Sequence, residues 1–107
     1  MKRGDLVSTA GLGSYGKPRP ALVVQSDHFS EHPSVTILLI TSELRKAPLF
    51  RINIVPTKEN GLKHVSQVMI DKIMTVPSEK IGAVFGKLDD TTMIEINRAL
   101  ALWLGFT

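Results

Sequence analysis

Arg19 stands between two prolines, Pro18 and Pro20, at the mouth of the apolar run Ala21-Leu22-Val23-Val24. The prolines fix the backbone on either side of it, while Gly13 and Gly16 leave the preceding segment free to adapt. A guanidinium held in this way presents a planar fork of donors that matches a phosphate. Phosphate recognition, or stabilisation of a phosphoryl transition state, is one reading of Arg19; a surface arginine in a turn is the other. The local sequence does not separate them.

Other residues with chemical potential follow at the ends of apolar runs. Thr41-Ser42 closes the run Val35 to Ile40 and opens the polar segment Glu43-Leu44-Arg45-Lys46. Hydroxyls there can donate to a phosphate oxygen or cap the next turn. Asp71, between Ile70 and Lys72, is either a general base or base-edge acceptor, or half of a surface ion pair. His28 and His32 stand four apart, but Pro33 follows and no third ligand is evident, so no metal site is expected. His64 reads as a solvent-exposed residue after the Asn60-Gly61 turn. No Gly-x-Ser-x-Gly elbow exists to activate a serine, and Arg3-Gly4-Asp5 reads as a coincidental tripeptide. The kit is thus an arginine, hydroxyls and one carboxylate. RNA is a substrate for which so little suffices, because its own 2′-hydroxyl attacks the adjacent phosphate.

The elements that must position these groups are legible from punctuation and period. Runs over 5–10, 21–25, 35–41, 50–55, 67–70 and 83–88 are rich in Val, Ile and Leu and separated by Gly, Pro, Ser and Asn. They predict a compact antiparallel β-barrel, with the 35–40 run as a central strand buried on both faces. From Asp90 the period changes: Met93, Ile96, Leu100, Trp103 and Leu104 recur at helical steps and predict one face of a C-terminal helix covering the barrel. Thr92 with Glu95 fits a capping box and Gly105 a stop signal.

Composition bounds what this assembly can be. The 107 residues, 43% of them hydrophobic, predict a single domain over 1–107. There is no cysteine, which excludes a disulfide framework and a thiol nucleophile. The start lacks an apolar signal core and no run is of membrane length, so a cytoplasmic location is expected. The net charge of +3 resides in residues 1–53, with seven Lys/Arg against four Asp/Glu; residues 54–107 carry six of each. That asymmetry favours a polyanionic or acidic partner for the half containing Arg19.

Lys2-Arg3-Gly4-Asp5-Leu6-Val7, Gly13-Ser14, the block Arg19-Pro20-Ala21-Leu22-Val23-Val24 and Ile40-Thr41-Ser42 resemble the MazF/PemK toxins of bacterial type II toxin–antitoxin systems. The resemblance continues through Pro56 to Leu62, Asp71 to Val76 and Lys87 to Asp90 into the final helix. It implies a mainly β, α+β fold, an SH3-like barrel with appended helices that assembles as a homodimer. It also implies a metal- and cofactor-independent endoribonuclease that cuts single-stranded RNA, leaves 2′,3′-cyclic phosphate and 5′-hydroxyl ends, and is silenced by a cognate acidic antitoxin. Residue by residue, Arg19 and Thr41 match the family's catalytic arginine and threonine, and Asp71 an acidic residue used in catalysis or base reading. Ser14, Tyr15, Lys17 and Ser42 would then contact RNA, with Tyr15 either stacking on a base or lying on the barrel.

Met69 and Met74 occupy positions where relatives often carry arginine, and Ser14-Tyr15-Gly16 replaces Glu-Gln or His-Glu. The acid–base set is thinner than in such relatives. A guanidinium holds its proton far above neutral pH, which leaves Arg19 the role of phosphorane stabiliser and the general acid unassigned. The C-terminal half, including Met74 to Gly82 and Leu102-Trp103-Leu104-Gly105, also resembles CcdB, a gyrase poison of the same fold. There a C-terminal Trp-Gly pair carries toxicity, whereas here Leu104 separates Trp103 from Gly105 and Trp103 falls at a core-facing step.

Overall fold

The computed structural model describes residues 1–11 and 17–106. Six strands, β1 (Asp5–Thr9), β2 (Arg19–Val23), β3 (Ser34–Thr41), β4 (Arg51–Ile54), β5 (Ser66–Pro77) and β6 (Ile81–Lys87), precede one helix, α1 (Asp90–Leu104). The strands form an antiparallel sheet in the order β4-β5-β3-β2-β1-β6. A mainly β, α+β architecture with a C-terminal helix is therefore what the chain adopts.

Apolar residues cover both faces of this sheet. Leu6, Leu22, Leu38, Ile40, Val68 and Ile70 form one cluster with Ile96 and Ala99 of α1, while Val7, Ala21, Val23, Val35, Ile37 and Val76 form a second. β3 sends alternate side chains into both clusters, the reason its sequence reads as an almost unbroken apolar run.

The sheet does not close by strand pairing, because β4 and β6 remain its edges. The connection after β4 spans the gap instead. Lys87 N–H donates to the Glu59 carbonyl at 3.0 Å, and Gly86 lies so close to Asn60 that a Cβ would fall 2.2 Å from its carbonyl oxygen. Gly61, at φ +65°, has room for a Cβ only 2.6 Å from the Phe85 carbonyl oxygen. Asn60 is buried and sets this turn: its Oδ1 accepts from Thr57 N–H and Leu62 N–H, and its Nδ2 donates to the Val55 carbonyl.

Three local expectations need correction. The strand expected over 67–70 runs on to Pro77, since the polar pair Asp71-Lys72 sits where the β3–β5 register shifts between Leu38 and Ile40. A bulge there breaks the alternation without ending the strand. The helix N-cap is Asp89, one turn before the Thr92–Glu95 pair, and Thr92 Oγ1 donates back to its carboxylate. Trp103 and Leu104 do not enter the core: each is about half exposed, and Trp103 instead meets Phe50, ring centroids 6.1 Å apart. The core contact of α1 ends near Leu100 because β5 is the strand it chiefly crosses. Gly105 terminates the helix in the left-handed region, with Phe106 N–H donating to the Ala101 carbonyl.

Candidate functional site

Thr9 and Arg19 are cross-strand partners on β1 and β2, and the Thr9 hydroxyl donates to the Arg19 carbonyl at 2.9 Å. On the other side of β2, Ala21 pairs with Leu39 of β3. The β2–β3 pairing runs from Val23–Ile37 to Ala21–Leu39, and Arg19 and Thr41 each stand two residues beyond its end on their own strands. Thr41 in turn pairs with Gln67, and Gln67 with Asn53. Thr9 and Arg19 therefore join β1 to β2, and a row of polar partners, Thr41, Gln67 and Asn53, crosses β3, β5 and β4.

Gln67 holds this row to the chain that follows Thr41. It is only 4% exposed. Its Nε2 donates to the Arg45 carbonyl at 2.9 Å and to Asn53 Oδ1 at 2.8 Å. Its Oε1 accepts from Arg45 N–H at 3.0 Å and Arg51 Nη1 at 3.1 Å. The Thr41 hydroxyl accepts from Glu43 N–H at 3.0 Å, so it caps the turn while its own proton is left for another acceptor. Capping and substrate contact are compatible in one hydroxyl.

Beside Arg19 and Thr41 lies an open cleft of about 570 Å³. Arg19, Thr41, Lys17 and Ser42 all line it, joined by Leu62, Lys63 and His64 from the segment between β4 and β5, by Ser66 at the start of β5 and by Phe85 of β6. Among the described residues the lining contains no carboxylate, whereas Lys17, Arg19 and Lys63 are cationic. Such a wall concentrates an anionic ligand.

Asp71 is not part of this lining. It lies four residues beyond Gln67 on β5, roughly 13 Å along the strand at about 3.3 Å per residue. One carboxylate oxygen, Oδ1, is buried there without a hydrogen-bond partner, and no ion pair with Lys72 forms. Ser14 and Tyr15 lie outside the described residues. Among the described residues no group of three His, Cys, Asp or Glu side chains is arranged to hold a metal, and no helix is long and apolar enough to cross a membrane.

A profile of the family described as PemK-like, MazF-like toxin of type II toxin–antitoxin system matches residues 2–104. The chain belongs to that toxin family. It is 45% identical over 106 residues to a probable endoribonuclease MazF from Mycolicibacterium smegmatis, covering 98% of this chain and 97% of that protein. With endoribonuclease EndoA of Bacillus subtilis it shares 29% identity over 111 residues, 97% of this chain and 94% of the relative. In three dimensions it is similar to an endoribonuclease solved in complex with its cognate antitoxin from a mycobacterial species. The TM-score is 0.84 at 26% identity, covering all of this chain and 97% of that one.

In this toxin the residues that sequence reasoning missed are those acting through backbone geometry. Thr9 holds the Arg19 carbonyl, yet it reads as one more strand threonine. Gln67 reads as the first residue of an apolar strand, with no signal of the four hydrogen bonds it makes. Lys63 and His64 reach the cleft because the Asn60–Gly61 turn folds against β6, a long-range contact without a local signature.

Proposed function

We propose that this toxin is a metal-independent endoribonuclease that cuts single-stranded RNA at a phosphate seated between Arg19 and Thr41. The observation that carries the reading is that Arg19 and Thr41 line one cleft whose charged lining, among the described residues, is entirely cationic. The names of the relatives support the same activity. Arg19 donates in a fork to the non-bridging oxygens and opposes the charge that grows on the phosphorane. Thr41 donates its hydroxyl to the same phosphate, and Lys17, Lys63 and Ser42 hold the flanking backbone.

The reaction needs no nucleophile from the protein. The 2′-oxygen of the substrate attacks phosphorus, its proton is lost, the bond to the 5′-oxygen breaks and that oxygen takes up a proton. The products are a 2′,3′-cyclic phosphate and a 5′-hydroxyl. Asp71, outside the cleft, is given no part in these steps. An acidic antitoxin segment suits the same basic cleft, and a cytoplasmic homodimer is the state we assign to the toxin.

The half-exposed Trp103 near the C-terminus favours one other reading, a gyrase poison that cuts nothing. Both are tested together. Wild type and Arg19→Ala are incubated with a mixed RNA in excess chelator, the ends are mapped, and gyrase cleavage is assayed alongside. Cyclic-phosphate ends from the wild type alone, undiminished by chelator, support the nuclease. Intact RNA with trapped gyrase overturns it.

A further inference from the structure

The cleft contains a group that the reaction requires and that Arg19 cannot be. We propose that His64 is the general acid that protonates the departing 5′-oxygen, an inference that rests on the ribonuclease reading above. His64 is the one histidine among the described residues lining the cleft with Arg19 and Thr41. The remaining proton carriers there are Lys17, Lys63 and Arg19, whose residue types hold their protons far more firmly, and the Thr41, Ser42 and Ser66 hydroxyls, which are weaker acids still. An alkoxide leaving group needs a proton as its bond to phosphorus breaks, and imidazolium is the strongest acid of the side-chain types present.

Local structure fixes where that imidazole stands. The buried Asn60 sets the turn, Gly61 takes a positive φ against Phe85, and Ser66 Oγ donates to the His64 carbonyl at 2.8 Å. The His64 carbonyl is thus held and the chain up to Leu62 fixed before it, while its exposed side chain lines the cleft. No carboxylate in the described lining competes for its proton. The proton balance is complete: the 2′-hydroxyl proton passes to solvent, the imidazolium proton to the 5′-oxygen, and the neutral imidazole regains a proton from solvent after product leaves.

A substrate whose leaving group needs no proton isolates this role. An oligonucleotide carrying a site mapped on mixed RNA is prepared with oxygen, and separately with sulfur, as the 5′-bridging atom of the cleaved linkage. The expected result is that His64→Ala and His64→Gln lower kcat roughly 10²- to 10⁴-fold on the oxygen substrate with little change in KM. On the sulfur substrate both variants should cut within about threefold of wild type, because a thiolate leaves unprotonated. Three outcomes overturn the proposal: normal cutting of the oxygen substrate by His64→Ala, an equal defect on the sulfur substrate, or restoration by His64→Gln. Each of these leaves the ribonuclease reading standing so long as wild type cuts; a wild type that leaves both substrates intact removes that reading and the role of His64 with it.

Discussion

Replacing Gln67 by Leu keeps the volume of a buried side chain and deletes four hydrogen bonds, two that join β5 to Arg45 in the segment after Thr41 and two that join it to Arg51 and Asn53 of β4. Each such bond contributes about 0.5–1.5 kcal/mol net. Arg45 and Asn53 are exposed and regain water as partners, so only part of that sum is lost. The expected destabilisation is about 2–4 kcal/mol, out of a typical total of about 5–15 for a domain of this kind. Urea unfolding followed by far-UV circular dichroism measures it, as a lower midpoint at unchanged slope. Gln67→Glu sharpens the test. It keeps an acceptor for Arg51 but turns an acceptor toward the Arg45 carbonyl and Asn53 Oδ1, so it should fall nearly as far. If Gln67→Leu unfolds within about 0.5 kcal/mol of wild type, the amide is not what anchors the turn after Thr41. Cleavage should drop in step with the loosening of Ser42, and the defect should appear in kcat/KM measured well below the unfolding midpoint.

Gly86→Ala places a methyl 2.2 Å from the Asn60 carbonyl oxygen. The two segments must separate, at a cost of about 1–3 kcal/mol that thermal denaturation will register as a lower Tm. Ile96, fully buried between α1 and the sheet, should cost about 2–5 kcal/mol when cut to Ala, and Trp103→Ala much less; equal losses would refute the half-exposed placement of the tryptophan. Because Trp103 is the single tryptophan, acrylamide quenching of its fluorescence gives an independent check, with efficient quenching in the folded state expected. Thr9→Val removes the hydroxyl that holds the Arg19 carbonyl and should lower kcat several-fold with KM little changed, read in steady-state RNA cleavage.

What the sequence made legible is what local rules control. Runs of β-branched and aliphatic residues located all six strands, and the change to a three- and four-residue period at Asp90 located the helix. The prolines around Arg19 and the hydroxyls after Ile40 pointed to two residues that the structure brings to one cleft. Legibility failed where tertiary contacts decide. Asp71-Lys72 looked like a strand end because a bulge and an ending break alternation alike. Trp103 keeps helical spacing with Ile96 and Leu100, but period alone does not say where the underlying sheet stops. His64 looked like an exposed residue after the Asn60–Gly61 turn, and it is exposed; that the turn folds over the cleft depends on Gly86, more than twenty residues away.

The cleft draws its walls from four stretches of chain: the entry to β2, the end of β3, the 61–66 segment, and Phe85 on β6. β6 reaches its place only by pairing with β1, about three quarters of the chain away. Contacts of such separation form late, after the entropy of closing long loops has been overcome. A ribosome making this toxin therefore holds an incomplete candidate cleft until Phe85 and the strand around it have left the exit tunnel. The topology thus separates the machinery that makes the toxin from the proposed activity of the cleft while the first eighty residues are being made.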